Sequence, residues 1–151
     1  MQDMALQTSG AESSNGTTEA QINLEIALKL QKLLEQSGCT VLLTRSDENE
    51  IYDAGSDTIR EKKVSDMKNR VKIGNESSAD IFVSVHLNKI AESQYSGWQT
   101  FYKGNNEESK KLATSIQNSL NETMQKENTR KPAQLNTISV SYTHLTLPTN
   151  A

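Results

Sequence analysis

The side chains able to do metal or acid–base chemistry are few. The chain has two histidines, His86 and His144, and one cysteine, Cys39. His86 closes the stretch "ADIFVSVHLN" (79–88), in which Ile81, Val83, Val85 and Leu87 alternate with Phe82, Ser84 and His86. That alternation predicts a strand with one side set facing a core. An imidazole at the end of such a strand is either a core histidine satisfied locally, or a ligand or base carried to a site. Asn88, two positions on, is suited to hydrogen-bond a substrate or to fix the following loop. A single cysteine allows neither an internal disulfide nor a cysteine-based zinc cage.

The elements that position these residues follow from periodicity. From Glu19, the residues Ile22, Ile26, Leu30 and Leu33, backed by Leu24, Ala27, Leu28 and Leu34, recur at helical spacing. Gly38 stands where a left-handed cap would end that helix. "CTVLLTR" (39–45) reads as a short buried strand with Cys39 as a small core residue, and 46–57 as a polar loop. Thr58 and Glu61 form a capping box that opens a second helix, with Val64, Met67 and Val71 expected inside. "GWQTFYK" (97–103) predicts a strand whose Trp98 packs on a helix rather than stacking on a sugar. A third helix starts near Asn106, with Glu107 and Glu108 in its first turn and Leu112, Ile116 and Leu120 inside, and Pro132 lies beyond its end.

This order predicts an α/β fold: a mostly parallel sheet with helices on both faces, within one incomplete domain. Ligands of such sheets collect at the carboxyl ends of the strands, and His86 lies at such an end. Of the 151 residues, 34% are hydrophobic, and the net charge is -3, which argues against a nucleic-acid or anionic-membrane surface. No apolar run has the length of a membrane span or a signal-peptide core.

The tail departs from the rest. "VSYTHLTLPT" (140–149) looks like the translation of a sequencing transposon adapter, GTC TCT TAT ACA CAT CTG ACG CTG CCG ACG. The expected organisation is therefore a polar segment over 1–18, a partial catalytic domain over 19–139, and an adapter-derived stretch over 140–151 that removes His144 from consideration. A domain cut there is expected to leave a strand edge or face bare and to be poorly stable.

With the tail set aside, "GAESSNGTTEAQINLEIALKLQKLLEQSGCTVLLTR" (10–45) followed by "DMKNRVKIGNESSADIFVSVHLN" (66–88) resembles the zinc-dependent N-acetylmuramoyl-L-alanine amidases of bacterial cell walls. Glu19, Asn23 and Leu24 match the family's glutamate and helix start, and Leu43, Thr44 and Arg45 match its Leu-Thr-Arg strand. Arg70 and Asn75 match its Arg-x-x-x-x-Asn helix, and Ser84 to Asn88 match its Ser-hydrophobic-His-Leu-Asn strand. Residues 96–120 look most like the spore-cortex and germination branch.

The resemblance implies one zinc, held by an upstream histidine, a glutamate and the strand histidine, with a separate glutamate as general base. Glu19 and His86 match two ligands, whereas on its own Glu19 reads as an ordinary first-turn acid. Residues 1–18 contain no histidine, only the acids Asp3 and Glu12 in unmatched contexts, and no residue matches the catalytic glutamate. The expectation is thus a peptidoglycan amidase by parentage, inactive as this polypeptide, working outside the cytoplasmic membrane at the cell wall or spore cortex. Its partner is peptidoglycan, with no nucleic acid and no other protein implied. The alternatives are a non-catalytic peptidoglycan-binding relative with a decayed zinc site, or a generic α/β binding domain in which His86 is structural.

Overall fold

The computed structural model describes residues 18–88, 97–124, 126–136 and, as backbone, 142–148. Three helices and four strands run in the order α1 (Glu19–Gln36), α2 (Ile59–Glu76), β1 (Phe82–Asn88), β2 (Gln99–Lys103), α3 (Glu107–Thr123), β3 (Ala133–Leu135) and β4 (Tyr142–Pro148). Sheet order is β1-β4-β2-β3. β1 pairs with β4 and β2 with β3 in parallel, while β2 and β4 are antiparallel. The sheet is mostly parallel, as the element order predicts.

Local chemistry sets the helix starts. Thr18 accepts from the Gln21 amide and Gln21 reaches back to the Thr18 amide, a complete capping box for α1. Thr58 and Glu61 do the same for α2, and Asn106 caps α3 through the Ser109 amide. Gly38 follows α1 with φ +86°, a conformation that a Cβ would strain.

Helices cover both faces of β1. Ala27 of α1 clusters with Val83 and Val85, with Ile26, Leu30, Leu43 and Ile81 packed around them. Gly74 of α2 lies against the Phe82 ring, so close that a Cβ there would come within 2.8 Å of it. Alternation places Phe82 on the face opposite Val83.

Several expectations change. The stretch 39–45 is not a regular strand: only Val41 makes an isolated bridge. Leu43 does reach the core, and Thr44 and Arg45 are buried, but side-chain hydrogen bonds rather than a ladder hold this segment. Cys39 is exposed because it comes directly after the turn at Gly38. Leu28 and Leu33 of α1 face outward. On α2 the inward face is the polar one: Asp66 and Arg70 are buried, whereas Val64 and Met67 are 46% and 51% exposed. A buried, doubly hydrogen-bonded ion pair displaces the apolar stripe from the interior.

β3 begins directly after Pro132, where a missing amide N–H costs the ladder nothing. The sheet also continues past residue 139. β4 lies between β1 and β2, pairing Phe82–Asn88 in register with Tyr142–Pro148. Strand pairing depends on backbone groups and alternation, so it bears on the sheet and not on the origin of the codons.

α3 docks on β2 through polar groups. Gln117, 1% exposed, accepts from the Thr100 amide at 2.8 Å and donates to the Trp98 and Arg130 carbonyls at 3.3 and 3.2 Å. Thr100 Oγ1 donates to the Ala113 carbonyl at 2.9 Å. Gln117→Leu keeps the volume but removes the acceptor of the buried Thr100 amide and one donor each from the Trp98 and Arg130 carbonyls, the former still accepting from Asn128 Nδ2 at 2.8 Å. It should lower unfolding stability by about 2 kcal/mol, read from the urea midpoint at unchanged slope.

Candidate functional site

The candidate site lies at the carboxyl end of β1. Its two chemically distinctive groups come from elements far apart in sequence. Glu19 stands in the first turn of α1, is 6% exposed, and its Oε1 accepts from the Leu87 amide at 3.2 Å. Asn23, one turn on, directs Nδ2 at the same oxygen from 3.5 Å. The carboxylate is thus seated on the strand backbone one residue past His86. Two of the predicted site residues are brought together.

His86 is half-buried, and its Nε2 lies 3.0 Å from Ser84 Oγ, on the same face of β1. Burial, with the Arg70 guanidinium contributing, lowers its pKa to about 4. The imidazole is therefore neutral at neutral pH, the form that binds metal. Asn88 ends β1, opposite Pro148 of β4. Its side chain, like Tyr95, Asp3 and Glu12, lies outside the described residues, and so does the side chain of His144.

Beneath the site is a buried polar frame. Arg70, 2% exposed, donates Nε to Asp66 Oδ2 at 2.7 Å and Nη2 to Asp66 Oδ1 at 3.0 Å, while Nη1 reaches Thr44 Oγ1 at 3.0 Å. Asp66 Oδ1 also accepts from the Ile51 amide at 2.7 Å. Arg45 donates Nη2 to the Ala20 carbonyl at 2.7 Å and Nη1 to the Asp47 carbonyl. Both arginines are buried, so neither presents its guanidinium to a substrate carboxylate. Sequence reasoning left this frame open, although the i, i+4 spacing of Asp66 and Arg70 was a visible signal.

Trp98 is 2% exposed, with Nε1 donating to Asn121 of α3 at 2.7 Å. It is a packing residue, as expected, and offers no open ring face to a saccharide.

The donors suit zinc in kind: one carboxylate oxygen and one neutral imidazole nitrogen. Among the described residues no group of three or more His, Cys, Asp or Glu side chains converges on a metal position. The described pair fits part of a zinc site.

The fold, a mostly parallel α/β sheet with helices on both faces, and the match of residues 6–147 define the class: the chain belongs to the N-acetylmuramoyl-L-alanine amidase family (Amidase_3). Within it, the chain is 34% identical over 116 residues to the germination-specific N-acetylmuramoyl-L-alanine amidase of Bacillus subtilis (strain 168), covering 77% of this chain and 48% of that protein. It is 32% identical over 113 residues to N-acetylmuramoyl-L-alanine amidase LytC of the same organism, covering 74% of this chain and 20% of that protein. The chain thus spans about half the length, or less, of these curated relatives.

Among solved structures, the CwlD amidase from Clostridioides difficile, in complex with the GerS lipoprotein, superposes with a TM-score of 0.87. It is 34% identical, over 97% of this chain and 80% of that one. The catalytic domain of CwlV from Bacillus (Paenibacillus) polymyxa var. colistinus shares the fold at 23% identity and a TM-score of 0.72, over 95% of this chain and 77% of that one.

Proposed function

We propose that this chain is part of a peptidoglycan hydrolase that cleaves the amide between N-acetylmuramic acid and the L-alanine of the stem peptide, with Glu19 and His86 as two of its zinc ligands. The observation that carries this reading is the hydrogen bond from the Leu87 amide to Glu19 Oε1, which holds a buried carboxylate beside the strand histidine. Family membership and the germination-specific relative support the substrate class. Zinc, when bound, polarises the scissile carbonyl and makes a bound water acidic.

The chain's own residues supply the setting. β1 holds the His86 ring on a rigid strand, and burial keeps it unprotonated. The Leu87 amide and Asn23 orient Glu19 Oε1. Asn88, next to the site along the chain, is assigned to substrate binding. The work is placed outside the cytoplasmic membrane, at the wall or spore cortex. Among the described residues no helix is long and apolar enough to cross a membrane. The lipoprotein bound by the CwlD relative adds a second class of partner, a protein one, which the sequence did not suggest.

With two candidate ligands among the described residues instead of the three usual for catalytic zinc, this polypeptide should bind the metal weakly, in the micromolar range or above. Glu19→Gln, which replaces a carboxylate by a neutral amide, should weaken binding by about tenfold further while leaving the helix content unchanged. Competition against a chelator of known affinity measures both. Sub-micromolar binding by the unaltered chain, or an unchanged affinity in Glu19→Gln, would contradict the assignment.

A further inference from the structure

We propose that Arg45 is a positioning residue for Glu19: by clamping the first turn of α1 it fixes where the Glu19 carboxylate meets the edge of β1. This rests on reading Glu19 as a metal ligand.

The carboxylate's position depends on one helical turn. Glu19 and Ala20 open α1, and no ladder joins that turn to the strand it serves. What ties it down is Arg45 Nη2, 2.7 Å from the Ala20 carbonyl, with Nη1 of the same guanidinium on the Asp47 carbonyl. A planar fork bonded to two carbonyls on two segments fixes their separation and angle together, which a single ammonium cannot do. Gln21 adds a weaker tie, its Nε2 donating to Glu48 Oε2 at 3.2 Å on the exposed side.

The clamp itself has an anchor. Thr44, the preceding residue, accepts from Arg70 at 3.0 Å, and Asp66, the partner of Arg70, accepts from the Ile51 amide at 2.7 Å. The segment carrying Arg45 is thereby pinned to α2 on both sides of Arg45. A continuous path runs from α2 through Thr44 and Arg45 to Ala20, then through Glu19 to the Leu87 amide beside His86.

Packing alone does not account for Arg45. It is 4% exposed, next to a second buried guanidinium, and its Nε has no partner among the described residues. Desolvation first, and Arg70 second, act against its charge and outweigh the support of Asp66, Asp47 and Glu48. A methionine would fill a similar volume without that cost. The two carbonyl contacts are what arginine provides and methionine does not.

The test uses the full chain with Arg45→Met, Arg45→Lys and Glu19→Gln. Two quantities are read: zinc affinity by chelator competition, and hydrogen exchange of the Leu87 amide without metal, with urea stability as control. Arg45→Met should weaken zinc about tenfold and speed Leu87 exchange by a similar factor, with Arg45→Lys in between. If Arg45→Met does not fold, Arg45→Lys alone decides by the same two readouts. Wild-type zinc affinity and wild-type Leu87 exchange in the folded Arg45 variants, alongside weakened zinc binding in Glu19→Gln, would overturn the positioning role. If Glu19→Gln also keeps its zinc, the ligand reading fails. Leu87 exchange then still decides whether Arg45 places the carboxylate.

Discussion

Replacing His86 with alanine, in a chain supplied with the family's upstream histidine and downstream glutamate, should lower amide hydrolysis by about a thousandfold or more and remove zinc together with it. The size follows from what a strand-held imidazole contributes. Its ring sits at the carboxyl edge of β1, within 3.0 Å of Ser84 Oγ, and is kept neutral by burial. Alanine takes away the proposed ligand, and no described neighbour can replace it, since among the described residues no third His, Cys, Asp or Glu converges there. Losing several kcal/mol of charge stabilisation in the transition state corresponds to the stated factor. Zinc stoichiometry measured beside release of stem peptide from purified peptidoglycan checks it. A variant that keeps both its metal and its activity would make His86 structural.

Asp66→Ala should cost about 3–5 kcal/mol of stability, because it leaves Arg70 charged, 2% exposed and without its bidentate partner. Two oxygens of Asp66 receive two nitrogens of Arg70, and one of them also receives the Ile51 amide. Removing the carboxylate therefore takes the charged partner from a guanidinium whose bond to Thr44 is to a neutral hydroxyl, and the acceptor from the Ile51 amide. Most of the loss should return in the double variant Asp66→Ala, Arg70→Met, since that removes the uncompensated charge as well. Urea denaturation of the two single variants and the double variant forms the cycle. A loss under about 1 kcal/mol for Asp66→Ala would show that water reaches Arg70 and that the pair is not a buried one.

The parts of this fold that could be read from sequence are those encoded within a few residues. Thr58 with Glu61 announces the start of α2, the apolar spacing from Ile22 announces α1, and the alternation from Ile81 to Leu87 announces β1. The inner face of α2 differs from the one its apolar spacing predicts, because that spacing counts only apolar residues. Val64, Met67 and Val71 form a regular stripe, yet Asp66 and Arg70 satisfy each other and occupy the interior. The stretch 39–45 has strand composition, but its backbone makes only an isolated bridge, and side-chain bonds to Thr44 and Arg45 hold it instead. β4 lies in a segment that its change of composition and its likeness to an adapter translation set apart.

The site divides along the same line. His86 stood out through its place at a strand end, and Glu19 only through resemblance, since a first-turn acid is commonplace. That the two meet is a tertiary fact, carried by the Leu87 amide. The roles of Arg45 and Arg70 depend on which partners surround them, which spacing does not disclose beyond the Asp66–Arg70 turn.

The most direct test of Glu19 and His86 as a ligand pair is a zinc titration followed by NMR at the His86 ring nitrogens and the Leu87 amide, in the unaltered chain and in Glu19→Gln. The account predicts that zinc shifts both signals along one binding curve, and that Glu19→Gln moves that curve to about tenfold higher zinc. Zinc-induced shifts confined to His144 or to surface carboxylates, with the His86 ring and the Leu87 amide unmoved, would contradict it.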